Sequence, residues 1–222
     1  MMACTYGSAE LVNLLLSAGA DCTCMDNRSN TVYHAAAVSG NDDILQLLIR
    51  FGGDLQGKLY AANKDGKTPL LLAVERNYLS TVAIILALMP KDRQDIDKLH
   101  QELLHTAAYG GYLDVCKMLI ENGCDPRLRG DVWNLPLHLA AKSNKADVVQ
   151  YLLEIAPDTI EKNNLCHITP FHAAVMNDAL ETVKVLVEHG ANILFNGRDG
   201  ETPIIAASKN NAVDVLSVSV LC

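Results

Sequence analysis

Seven histidines and seven cysteines are the side chains of this 222-residue chain best suited to hold a metal or attack a substrate. His100-Gln101-Glu102-Leu103-Leu104-His105 offers two imidazoles and a carboxylate to zinc. That chemistry needs histidines four apart on one helical face with the glutamate beside the first. Here they are five apart and the glutamate is displaced. Cys22 and Cys24 lack a second ligand pair at the spacing a zinc site uses. Arg129-Gly130-Asp131 and the sequon Asn27-Arg28-Ser29 would matter outside the cell. Unpaired cysteine usage and the lack of a signal segment before the first helix point inside it. A glycine-rich phosphate loop, a nucleophile elbow and a kinase set are missing, and Asn196-Gly197-Arg198-Asp199-Gly200 reads as a turn. No catalytic, cofactor-binding or metal-ligating residue is therefore assigned, and the chain reads as a non-enzyme without a cofactor.

Four of the histidines share one setting. They close the phrases Thr31-Val32-Tyr33-His34, Glu102-Leu103-Leu104-His105, Leu135-Pro136-Leu137-His138 and Thr169-Pro170-Phe171-His172. Thr68-Pro69-Leu70-Leu71 and Thr202-Pro203-Ile204-Ile205 keep the phrase without the imidazole. Successive phrases begin 37, 34, 33, 34 and 33 residues apart. Threonine is a good helix N-cap, and proline at the next position has the right φ and no donor to lose. Histidine three residues after the threonine stands where a capping box puts its reciprocal partner. The histidines are thus expected to be structural.

The elements around each phrase follow from the same chemistry. Small pairs such as Ala36-Ala37, Ala107-Ala108, Ala140-Ala141 and Ala173-Ala174 let helices approach closely. A break comes next, at Gly40, Gly111, Asn77, Asn144, Asp178 or Asn211. A second apolar run follows, as in Ile44-Leu45-Gln46-Leu47-Leu48-Ile49, with a stripe wide enough to need cover on more than one side. Gly19, Gly52, Gly123 and Gly190 close these second helices. Asp65-Gly66 and Asp199-Gly200 supply tight turns before the next phrase. Each unit is a helix, a turn, a helix and a hairpin-like finger.

This period and phrase resemble the T-P-L-H-x-A signature of the ankyrin repeat, in six copies in phase over essentially the whole chain. The resemblance implies an all-α ankyrin-repeat solenoid of stacked helix-turn-helix pairs with hairpin-like finger loops. It implies one domain over residues 1–222, with repeats near 1–30 (partial), 31–67, 68–101, 102–134, 135–168, 169–201 and 202–222 (truncated). It also implies a non-catalytic interaction module that holds a protein partner across finger tips and concave inner helices. The alternative is a cytoplasmic segment of a larger protein, such as a membrane channel or multidomain enzyme, acting as tether or regulatory spring. The finger positions that match a hydroxylated asparagine in such repeats are Thr23, Gln56, Arg127, Ile160 and Leu194, so that modification is not implied.

Bulk properties narrow the partner. A net charge of −8 disfavours nucleic acid, and no apolar run of about 18 residues suggests membrane insertion. The expected location is the cytoplasm, with the nucleus open. Cys4, Cys116 and Cys124 occupy core positions, whereas Cys22, Cys24 and Cys166 lie in fingers without a basic cluster to activate them. Both ends read as uncapped: the chain starts within a first helix, and Val218-Ser219-Val220-Leu221-Cys222 has no closing glycine. The expectation is a piece of a longer array, or end-to-end self-association.

Two places depart from the period. Four extra residues within Leu55–Ala62 should lengthen one finger. Pro90 and the charged run Lys91–Lys98 precede a phrase that has lost threonine and proline, so weak stacking is expected there. The middle of the chain carries the candidate binding surface. Arg127, Arg129 and Trp133 share a finger, with Trp133 where other copies have Gly66 or Gly200. Tyr109 and Lys142 fall beside it in register. Together they suggest a basic-aromatic patch for an acidic protein segment. The other reading is that Trp133 folds down over Leu135 as local packing.

Overall fold

A computed structural model describes residues 1–51, 55–89, 96–194, 197 and 200–217, without the side chains of 55, 56, 96 and 97. Among the described residues all regular structure is helical. The helices come in pairs: α1 (Met2–Tyr6) with α2 (Ala9–Ser17), α3 (Val32–Ser39) with α4 (Asp42–Phe51), and α6 (Pro69–Glu75) with α7 (Leu79–Ala87). A single turn, α5 (Leu55–Lys58), separates the last two pairs. Then follow α8 (Ile96–Gly110) with α9 (Leu113–Glu121), α10 (Pro136–Lys142) with α11 (Ala146–Ile155), α12 (Pro170–Met176) with α13 (Leu180–Glu188), and α14 (Pro203–Lys209) with α15 (Val213–Leu216). The pairs fall into two compact units, Met1–Asp92 and Arg93–Cys222.

Within each unit, first helices pack on first helices and second on second: α1 on α3 and α3 on α6, or α8 on α10, α10 on α12 and α12 on α14. The alanine pairs are the reason. Ala36, Ala37, Ala107, Ala108, Ala140, Ala141 and Ala174 are completely buried, so backbones meet without a side chain between them. Second helices bury a stripe instead, such as Ile44, Leu45 and Leu48 of α4 or Val148, Val149, Leu152 and Leu153 of α11. Each such side chain contributes roughly 1.5–3 kcal/mol of burial. In every pair but the first the turn between helices takes a left-handed residue, glycine at Gly40 and Gly111 and φ near +55° at Asn77, Asn144, Asp178 and Asn211. Gly19, Gly123 and Gly190 close second helices at positive φ as expected, and Gly52 lies outside the described residues.

Two expectations need correction. The added residues do not lengthen a finger. The finger Asn63–Lys67 is five residues long, as is Asp26–Asn30, and the insertion forms α5 ahead of it, followed by buried Leu59 and Tyr60. Those two apolar side chains give the insertion a reason to pack down. Nor does the phrase at Glu102 start a helix there. Without threonine to cap or proline to break the ladder, α8 runs fifteen residues from Ile96 straight through the phrase. Pro90 to Asp95, and the terminal run Val218–Cys222, lie outside the described residues.

Candidate partner-binding surface

Three fingers, Asn63–Lys67, Gly130–Asn134 and Asn164–Ile168, are each anchored by a histidine from the helix before. In His34 the Nδ1 atom accepts from Thr31 N–H at 3.0 Å, so Nε2 carries the proton and donates to Lys67 C=O at 3.0 Å. His138 repeats this: Nδ1 accepts from Leu135 N–H at 3.1 Å and Nε2 donates to Ile168 C=O at 3.0 Å. One imidazole thus caps its own helix and ties down the end of the next finger. His172 caps with Thr169, its Nδ1 lying 2.8 Å from the hydroxyl. Both jobs need the neutral ring. Burial accordingly holds His138 well below the usual imidazole range, at about 4, and lowers His34 too.

Most fingers are closed by an Asx turn. Asn63 Oδ1 accepts from Asp65 and Lys67 N–H, Asn164 Oδ1 from Cys166 and Ile168, and Asp26 Oδ1 from Arg28 and Asn30. The fourth finger residue takes the left-handed region: Ser29, Gly66, His167 and Gly200. Neighbouring fingers are also laced together, Asn63 Nδ2 donating to Asn30 Oδ1 at 2.7 Å and Asn164 Nδ2 to Asn134 Oδ1 at 2.9 Å.

The finger Gly130–Asn134 is built differently. Its first residue has no side chain to close the turn, and the cause is His105. Because α8 is already helical at the phrase, no free N–H awaits capping, and Nδ1 of His105 turns to Gln101 C=O within the helix. Nε2 still reaches Asn134 C=O at 2.9 Å, but the ring now occupies the finger's base. A Cβ on Gly130 would stand 2.9 Å from His105 Nε2 and 3.3 Å from the Gln101 amide. Glycine is what fits. The tip then carries two consecutive left-handed non-glycine residues, Val132 at φ +55° and Trp133 at φ +62°. Such conformations cost about 1–3 kcal/mol each, and a β-branched side chain makes the cost worse.

Trp133 stays 54% exposed, with the Arg129 guanidinium 5.2 Å from its ring centroid. Arg129 Nη1 donates to Asn163 C=O at 3.0 Å, which fixes that guanidinium beside the next finger. Leu165 N–H donates to Val132 C=O at 3.0 Å, bringing the exposed Leu165 against the exposed Val132. Arg127 is engaged within the fold: its Nη2 and Nε meet the two oxygens of Asp158 at 2.7 and 3.3 Å. The pair raises the Arg127 pKa and lowers that of Asp158.

The repeat is now fixed by geometry as well as by phrase: paired helices, alanine-lined contacts, histidine-anchored fingers. A family profile described as ankyrin repeats (3 copies) matches residues 1–97, 57–131, 83–164 and 137–218. The chain belongs to the ankyrin repeat family. It is 30% identical to human B-cell lymphoma 3 protein over 161 residues, which is 69% of this chain and 36% of that protein. It is 31% identical over 137 residues to alpha-latrocrustotoxin-Lt1a of Latrodectus tredecimguttatus, 60% of this chain and 10% of that one. The ankyrin repeat domain of human ASB11 superposes with a TM-score of 0.80 at 20% identity, covering 95% of this chain and 93% of that domain. The chain therefore spans only a minor part of the curated relatives it matches. Ankyrin repeat domains are typically non-catalytic protein–protein interaction modules. No helix among the described residues is long and apolar enough to cross a membrane.

In this ankyrin stack the five residues singled out from sequence divide into two groups. Arg127, Arg129 and Trp133 share one finger. Tyr109 and Lys142 lie at the far ends of α8 and α10, where they line a separate cavity. The seven residues of α10 separate the groups by about 10 Å of helical rise. Sequence reasoning missed Val132 and Leu165. The available signal was apolar residues at finger positions where another copy has Lys64 and Asp65. Burial pushes Cys116 and Cys124 up to about 12, and Cys24 is raised by the hydrogen bond its thiol donates to Asp21 Oδ2.

Proposed function

We propose that this chain is a non-catalytic intracellular interaction module that takes a protein partner on the tips of the fingers 130–134 and 164–168. Val132, Trp133 and Leu165 form the apolar contact, and Arg129 supplies a positioned cation at its edge. One observation carries this reading: exposed Val132 and Trp133 both sit at positive φ, where glycine would relieve the strain. That cost falls on side chains that stay exposed, and an exposed tryptophan beside an arginine is the kind of anchor interfaces use. Affinity capture from lysate with the wild-type chain and with Trp133→Gly tests it. Glycine at this register should leave the melting temperature unchanged or higher and abolish capture. Equal capture by both proteins would overturn the reading.

A second reading rests on α2. Leu11 and Leu15 are exposed, although the matching registers Ile44 and Leu48, or Val115 and Leu119, are buried against a neighbouring helix pair. We infer that this face takes another helix pair of the same kind, supplied by a second copy of the chain. Light scattering across a concentration series should then report oligomers that Leu11→Glu and Leu15→Glu dissolve. A monomer throughout would favour the alternative of a tether within a larger protein.

A further inference from the structure

The cavity at the far end of α10 differs in kind from the finger tips. It measures about 380 Å³ and is lined by Tyr109, Gly110, Lys142, Ser143, Lys145 and Asn177. None of these lining residues is acidic, on a chain whose net charge is −8. Among the described residues, Lys142 and Lys145 form no ion pair and the Tyr109 hydroxyl no hydrogen bond. Three donors therefore line one concavity that has no carboxylate in its wall.

Lys145 is the residue that local stability would not choose. It is the N-cap of α11, next to the positive end of the helix dipole, and its side chain makes no capping hydrogen bond. At the same register Asn41 Oδ1 accepts from Asp43 and Ile44 N–H at 3.1 and 3.2 Å, whereas Tyr78, Tyr112, Ala179 and Ala212 make no capping bond but carry no charge. The lysine is nonetheless held in place. Its methylenes lie over Gly111, where an added Cβ would come within 2.5 Å of Lys145 Cδ. What distinguishes Lys145 is an unpaired ammonium at the positive end of a helix, on a stem held in place beside Lys142 and Tyr109.

We propose that Tyr109, Lys142 and Lys145 form an anion-binding subsite that receives a carboxylate or phosphate group from an acidic protein segment. The inference rests on the interaction-module reading above and assigns its partner a chemistry. A second cationic contact, besides Arg129, thus sits here, while Asp158 neutralises Arg127.

Amide-shift titration of the full chain with inorganic phosphate, and separately with a glutamate-rich peptide, tests it. Shifts should concentrate at residues 109–111, 142–145 and 177 for both probes, and the tighter probe names the preferred anion. Lys145→Asn should weaken binding by about tenfold while raising the melting temperature by ~2 °C, because asparagine caps at this register. Lys142→Gln should weaken binding with the melting temperature unchanged. Shifts spread over lysines elsewhere, or a Lys145→Asn protein that binds as wild type, would overturn the subsite. The finger-tip reading fails separately, through undiminished capture by Trp133→Gly, so the two failures are distinguishable.

Discussion

Two neighbouring fingers, Gly130–Asn134 and Asn164–Ile168, occupy equivalent places yet are held in opposite ways. In the second, Asn164 closes the turn with two hydrogen bonds, only His167 is left-handed, and His138 anchors the end. In the first, the side chain that would close the turn is missing, Val132 and Trp133 are both left-handed, and the anchor is a His105 that has abandoned its capping role. One finger spends its polar groups on its own rigidity. The other carries strain and exposes apolar surface. The lesson is that a single change upstream, the loss of Thr-Pro at Glu102-Leu103, propagates through α8 and the His105 ring to the finger tip.

The largest expected effect probes the anchored finger. His138 is neutral in the fold, with a pKa lowered from 6.5 to about 4, so the unfolded chain binds a proton that the folded chain refuses. The stability it carries is fully present above pH 6.5 and is lost as pH drops towards 4, the loss reaching about 3 kcal/mol by then. Urea unfolding of the wild type and of His138→Gln across that window measures it. The variant should lose this slope while keeping the background from carboxylates.

Next in size is Gly130→Asn, the substitution that would give the strained finger its neighbour's turn. Its Cβ would meet the buried His105 ring, so a loss of about 2 kcal/mol is expected rather than a gain. A stabilised Gly130→Asn protein would break the explanation of why the two fingers differ. Removing the turn from the rigid finger by Asn164→Ala deletes the hydrogen bonds to Cys166, Ile168 and Asn134, at about 1–2 kcal/mol. Hydrogen exchange should then rise at Cys166 and Ile168 and not at Thr202. The smallest effect is expected at Gly197, the same register one finger on. A Cβ there meets nothing closer than 3.5 Å, and Gly197→Asn should change stability by less than about 0.5 kcal/mol.

The sequence alone determined the repeat, because its causes are local. Thr169, Pro170 and His172 start a helix by contacts within four residues, Gly123 and Gly190 end one by their own φ, and alanine pairs declare where backbones must touch. It also put Trp133 at a finger tip. What the tertiary structure decided is everything that depends on a residue some thirty positions away. Asp158 takes the charge of Arg127, Asn163 aligns Arg129, Leu165 joins Val132, and Lys145 lies over Gly111. Those partners come from adjacent repeats, and no periodicity within one repeat reports which side chain of the next will reach across.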